Sequence, residues 1–301
     1  MSQAEKPSFI TVPQTSIKQT VVDFLNNTFP HIGLDIWVER VKKQKVFIKE
    51  TDKSHRKVTL DTKAKPLEVI GYYREVEKEP SIPFDETILE LNEHFLIAHK
   101  PHFLPVMPGG PFVNECLQQR LIKRTGIKDL QAVHRLDRHT AGLVLFSTNP
   151  NSRAQYHQLF SEQKIEKSYH AIAKVSSGLS ITGKKWHIKN YLTRGEPKFR
   201  FKNTNDPTHG QYAESIIECL EQNNDQALFK LSPITGRTHQ LRLHMMEIGH
   251  PILNDRFYPS LKNKEQDDYT QPLKLLASTL SFIDPISHES LIFKSAQQLK
   301  S

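Results

Sequence analysis

Hydrophobic spacing divides the chain near residue 80. Upstream, Val21, Phe24, Leu25 and Phe29 recur at helical spacing, and Pro30 closes that segment. Val46-Phe47-Ile48 and Val58-Thr59-Leu60 then read as short strands around a polar turn. Glu75, Glu77, Lys78, Glu79 and the prolines Pro80 and Pro83 form a charged seam of the kind that links domains. Beyond it the chain turns strand-rich. Phe95–Ala98, Leu143–Phe146, Tyr169–Val175 and the pair 211–221/226–233 all have strand composition, and Asn223-Asn224-Asp225 is a hairpin loop joining the last two. Helical segments are fewer: Asn151–Gln163, and His239–Ile248 with Gly249 as its stop. Antiparallel strands with sparse helices predict an α+β fold rather than a doubly wound sheet. The expected domains are 1–80 and 81–301, without internal repeats.

Composition narrows the classes. With 301 residues, 37% hydrophobic, the chain can build a sizeable core, and no stretch approaches the roughly 20 apolar residues of a membrane span. The first residues lack the apolar region of a signal peptide, and two cysteines, Cys116 and Cys219, suit a reducing compartment. A cytoplasmic protein is expected. There is no phosphate-binding P-loop and no dinucleotide fingerprint. Zinc is not expected either, because His134/His139 and His239/His244 are each five apart, about 140° around a helix.

The net charge of +8 suits a polyanionic partner and is concentrated. Between Arg40 and Lys65 ten Lys/Arg face three acids, a net +7, with Lys42, Lys43 and Lys45 at its start. Clustered cations of this kind contact phosphates in a sequence-tolerant way; a solvated charged loop is the other reading.

Three strings carry candidate chemistry. In His134-Arg135-Leu136-Asp137-Arg138-His139-Thr140-Ala141-Gly142 an acid sits between two arginines ahead of an apolar strand. Neighbouring cations favour ionised Asp137, which is either a nucleophile or a salt-bridged turn residue. In Lys167-Ser168-Tyr169-His170-Ala171-Ile172-Ala173, period two puts Tyr169, Ala171, Ala173 and Val175 on one face. Small residues beside the ring leave room for a flat base, or belong to an ordinary core. In the third string Pro233 and Gly236 turn a strand into a helix whose buried stripe is Leu241, Met245 and Ile248. Arg237, His239 and Arg242 crowd the helix start, the unfavourable end of its dipole for cations. That suggests an anionic client, an internal carboxylate or a phosphate, with a solvated basic face as the alternative.

Together and in this order the strings resemble the three motifs of the RluA-type RNA pseudouridine synthases: H-R-L-D-x-x-T-S/A-G, K-x-Y-x-A, and G-R-x-H-Q-L/I-R-x-H followed by G-H-P-I. Here these are His134–Gly142, Lys167–Ala171, and Gly236–His244 with Gly249-His250-Pro251-Ile252. The resemblance covers most of residues 84–301 and includes the lead-in Ile97-Ala98-His99-Lys100-Pro101. Asn254 departs from a usual Gly, and Leu276 from a usual His.

The resemblance implies an α+β catalytic domain with a mixed, mainly antiparallel sheet, preceded by a small basic appendage similar to a degenerate S4-like RNA-binding module. It implies Asp137 as the nucleophile and Tyr169 as the residue packed on the target base, with general-base chemistry open to it. Arg242 becomes the partner of the aspartate, and Arg135 intrudes where the base leaves the RNA stack. Arg138, Arg237 and His239 are further expected RNA contacts. The reaction, an isomerisation of uridine, needs no cofactor and no metal. The expected partner is structured RNA and the expected state a monomer. Large-subunit ribosomal RNA is the expected target, with a tRNA-directed or dual-specificity enzyme, or a non-catalytic RNA-binding assembly factor, as rivals.

Overall fold

A computed structural model describes residues 2–15, 18–51, 54–176, 178, 180–262 and 266–299. Contacts divide the chain into two compact units: 1–80 with 109–114, and 81–108 with 115–301. The excursion 109–114 was not visible in the sequence.

In the first unit the elements are β1 (Ser2–Gln3), β2 (Ser8–Thr11), α1 (Val21–Thr28), α2 (Leu34–Lys42), β3 (Val46–Lys49), β4 (His55–Lys57), β5 (Val69–Tyr72) and β6 (Glu75–Val76). Helix α1 starts where Thr20 and Asp23 cap reciprocally: Asp23 N–H donates to Thr20 Oγ1 at 3.1 Å and Thr20 N–H to Asp23 Oδ2 at 3.3 Å. Val21, Val22, Phe24 and Leu25 pack with Trp37 and Val41 of α2 against Ile48 and Ile70 of the antiparallel sheet β2-β5-β3-β4.

Three expectations for this unit are corrected. The second strand is His55–Lys57, not Val58–Leu60. Thr59 N–H donates to Thr62 Oγ1 at 2.8 Å, closing a turn that takes the backbone off the ladder, while Val58 drops into the core. The basic window is not one loop, since Arg40 and Lys42 lie on α2 and Arg40 is buried against Glu75. Asp52 and Lys53 of that window lie outside the described residues. Nor is the charged seam a hydrated linker. Glu75 belongs to β6 and pairs with Arg40 and Lys45, and Glu79 accepts N–H bonds from Val113 and Asn114.

The second unit contains β7 (Thr87–Leu91), β8 (Phe95–Lys100), α3 (Leu117–Thr125), β9 (Gln131–Ala132), β10 (Ala141–Ser147), α4 (Arg153–Ser161), β11 (Glu166–Lys174), β12 (Lys185–Arg194), β13 (Phe201–Thr204), β14 (Gln211–Asn223), β15 (Gln226–Pro233), α5 (Gln240–Glu247), β16 (Leu275–Ile283) and β17 (Ser290–Lys294). One sheet runs β13-β12-β14-β15-β11-β16-β10-β8-β7, with β17 on β16 and β9 on β10. Its pairings are antiparallel except β10 with β16, so the fold is the mixed, mainly antiparallel α+β sheet expected. β14 and β15 join through Asn224-Asp225, Asn224 taking a positive φ of 53° as a two-residue hairpin requires. Ala171 and Ala173 share a core with Phe229 and Leu231 and with Leu241 and Met245 of α5.

The parallel pair positions the site. Gly142 of β10 lies beside Ala277 of β16, and Ala277 lies beside Tyr169 of β11, which pairs in turn with Leu231 of β15. The loop before Gly142, Tyr169 and the turn after β15 therefore meet at one end of four neighbouring strands. Only glycine fits at 142: its φ is +121°, and a Cβ there would lie 2.3 Å from the Ala277 carbonyl oxygen.

Candidate active site

Asp137 opens a tight turn in which Thr140 N–H donates to the Asp137 carbonyl at 3.0 Å. The turn is held from beneath by buried groups. Lys100 is fully buried and donates to the carbonyls of Pro101, Leu104 and Arg138 at 2.9, 2.7 and 3.0 Å. Burial works against its charge, but three carbonyl acceptors require three N–H donors, which only the ammonium supplies. His102 Nδ1 donates to the His139 carbonyl at 2.7 Å. His134 stacks on Phe160 and accepts the Leu145 N–H at 3.1 Å, which needs a neutral ring; burial pushes its pKa down to about 3.

Arg242 reaches Asp137 from α5 and is 2% exposed. Its Nη1 donates to Asp137 Oδ2 at 3.3 Å, while Nε and Nη2 grip Asp255 at 2.7 and 2.6 Å. Asp255 also accepts the N–H groups of Phe257 and Tyr258, so the guanidinium sits in a fixed fork, with its carbon 4.8 Å over the Phe257 ring. His239 Nε2 lies 3.8 Å from the same Asp137 oxygen. Burial raises the Asp137 pKa, but Arg242, through its charge and its hydrogen bond, and then Arg135 outweigh it, leaving the carboxyl below its ordinary range. The other oxygen, Oδ1, accepts no hydrogen bond from any described residue.

Tyr169 lines the same cleft as Asp137 and follows a register shift between Ser168 and Tyr169 in the β11–β16 ladder. Burial first, and the Asp137 charge second, push its pKa well up, so the phenol stays protonated. The cleft holds about 100 Å³ and is lined by Asp137, Tyr169, Arg135, Lys167, Arg237 and Arg242 among others. That is well under the roughly 300–1,000 Å³ of sites that enclose a whole small ligand. It admits one ring of a larger molecule, and four cations against one carboxylate suit an anionic backbone.

The structure thus brings together Asp137, Tyr169, Arg242, His239, Arg135 and Arg237. Arg135 and Arg237 are exposed at the cleft, Arg237 Nε donating to the Tyr212 carbonyl at 2.9 Å. Two expectations change. His239 is 9% exposed, and burial lowers its pKa to about 4, so it enters neutral chemistry rather than adding a cation. Arg138 turns away from the cleft and grips Asp267 through both terminal nitrogens. Lys42, Lys43 and Lys45 belong to the first unit. Lys42 is exposed, whereas Lys43 pairs with Glu39 and Lys45 with Glu75. Asp255 and Lys100 were missed as supports of the site. A lone acid 13 residues beyond Arg242 gives no local signal. Among the described residues no cluster of His, Cys, Asp or Glu could hold a metal ion. No helix among them is long and apolar enough to cross a membrane.

Known proteins share both sequence and fold. The profile of the RNA pseudouridylate synthase family matches residues 94–247. The dual-specificity RNA pseudouridine synthase RluA of Pasteurella multocida is 32% identical over 221 residues, 72% of this chain and 94% of that protein. Its namesake from Vibrio vulnificus is 30% identical over 214 residues, covering 69% and 82%. The solved structure of human RNA pseudouridylate synthase domain containing 1 superposes with a TM-score of 0.58 at 21% identity, covering 73% of this chain and 86% of that one. The matched segment contains the Asp137 turn, Tyr169 and Arg242, and the chain belongs to the RNA pseudouridylate synthase family, isomerases that convert uridine in RNA to pseudouridine.

Proposed function

We propose that Asp137 is the nucleophile of this isomerisation, Arg242 the residue that holds it ionised, and Tyr169 the wall against which the target ring packs. The observation that carries this reading is the division of labour at one carboxylate: Asp137 lines a ring-sized cleft, its Oδ2 is tied to Arg242, and its Oδ1 accepts no hydrogen bond from a described residue. A uridine must leave its stack to enter, at a cost of a few kcal/mol. Exposed Arg135 stands at the mouth where the vacated stack would lie. In the net reaction the N1–C1′ bond breaks, the freed uracil turns, C5 bonds to C1′, and the C5 proton is exchanged for one on N1. A protonated Tyr169 packs on the ring or donates a hydrogen bond to it; a phenol with a raised pKa is poorly suited to take the C5 proton. The isomerisation is redox-neutral and is written without a cofactor.

Asp137→Asn keeps the side-chain volume and removes the nucleophile. Turnover should fall by at least about 1,000-fold while RNA affinity stays within about threefold. Turnover near that of the parent protein would refute the assignment.

For the target we propose large-subunit ribosomal RNA, with the first unit as a basic RNA-holding appendage. A second reading, action on two kinds of RNA, is favoured by relatives named as dual-specificity enzymes. Mapping pseudouridine in total cellular RNA with and without the gene separates them. Lost sites confined to large-subunit ribosomal RNA support the first reading, and sites lost from tRNA as well support the second.

A further inference from the structure

We propose that the outward face of the N-terminal sheet is a stacking platform for unpaired RNA bases. This rests on the reading of that unit as an RNA-holding appendage and names the surface and the class of RNA it takes. The register fixes which residues share the face. Phe9, Gly71, Phe47 and Lys57 lie opposite one another across β2-β5-β3-β4, and Thr11, Val69, Lys49 and His55 form the next rung. The alternate rung, with Ile10, Ile70 and Ile48, turns inward to the helices.

Phe47, itself 9% exposed, packs on Gly71, where a Cβ would come within 2.4 Å of its ring. This makes a floor flanked by two accessible rings. Phe9 is 50% exposed with its ring 6.2 Å from Phe47, and exposed His55 is 4.6 Å from Phe47 on the other side. The charged side chains of these rungs are basic: Lys57 beside Phe47, and Lys49 with its ammonium 5.5 Å over the Phe9 ring. Neither rung carries a carboxylate. Solvent-facing aromatic rings with a cationic rim match the two parts of a single strand, flat bases and phosphates. A duplex keeps its bases stacked inside and can use only the lysines.

The test measures binding of a short labelled oligouridylate and of a blunt RNA duplex to the full-length protein by fluorescence anisotropy across a salt series. Phe9→Ala and His55→Ala should each weaken oligouridylate binding about tenfold, as loss of one base stack predicts, and leave duplex binding unchanged. Phe9→Trp should retain it, and thermal melting confirms that each variant is folded. Lys49→Gln with Lys57→Gln should lower the salt slope on both RNAs by about two phosphate contacts. If the alanine variants bind oligouridylate within twofold of the parent while the lysine variant loses slope, the unit holds RNA without stacking and the platform is overturned. If no variant changes binding to either RNA, the RNA-holding reading falls with it. If Phe9→Ala instead converts a self-associated protein to monomer in sedimentation, the face is a protein interface and the proposal is overturned.

Discussion

At the scale of single residues, Arg242 is bound more firmly to Asp255 than to Asp137. Two bonds of 2.6–2.7 Å meet one of 3.3 Å, so the guanidinium is anchored on one side and lends its remaining nitrogen to the other. On the roles proposed for Asp137 and Arg242, Asp255 acts as a positioning residue. Asp255→Asn leaves Arg242 with one weaker acceptor and lets it swing toward Asp137. We expect kcat to fall roughly 10- to 100-fold with KM within about threefold, and stability to drop by about 3 kcal/mol as a buried pair is broken. A merely structural role would lower stability with kcat intact. Arg242→Lys should not restore turnover, because a point-charge ammonium cannot grip both carboxylates as a planar fork does.

Among the elements, the β10–β16 parallel pair decides whether a site exists at all. Gly142 permits the close approach of the strands that bring Asp137 and Tyr169 to one cleft. Gly142→Ala combines a disfavoured backbone conformation with a backbone clash and should cost about 3 kcal/mol, read as a fall in Tm of roughly 6–12 °C. Turnover should fall with it, since the two walls of the cleft separate; a folded variant with parental turnover would refute this role. Much of this level was legible in the sequence. The apolar runs of β8, β10, β11, β14 and β15 and the stop at Gly249 are local signals. Helix α2 was not legible because Trp37 and Val41 sit among charged residues, and their burial is supplied by Phe29 and Tyr72 from elsewhere in the chain.

Across the whole molecule, buried neutral histidines set the response to acid. Burial lowers His99, His102, His239 and His244 to about 4 and His134 to about 3. The unfolded chain takes up protons at these rings from about pH 6.5 downward, whereas the folded chain resists until about pH 4. Their contribution to stability is thus fully present above about pH 6.5 and is lost as pH falls through 4. Asp137 has a lowered carboxyl pKa, so its contribution is present above the ordinary carboxylate range and is lost as pH falls from that range through the lowered folded value. The urea midpoint should fall steadily between pH 7 and pH 4.5, with proton uptake on unfolding; a level midpoint would show that these rings charge within the fold.

The sequence by itself determined the class of fold, the family and the residues at the centre of the cleft. Alternation, turn residues and the three motifs are short-range patterns, each contained within about a dozen positions. Tertiary structure decided how charge is distributed among partners. Arg138 looked like a partner for Asp137 or RNA and grips Asp267 instead; Lys45 and Arg40 looked free for phosphate and meet Glu75. Of the anionic clients suggested for the start of α5, the fold supplies two internal carboxylates, Asp137 and Asp255. The physical reason is range. Backbone pattern is set by neighbours along the chain, whereas a buried charge is stable only beside whatever countercharge folding brings to it, and that partner can be a hundred residues away.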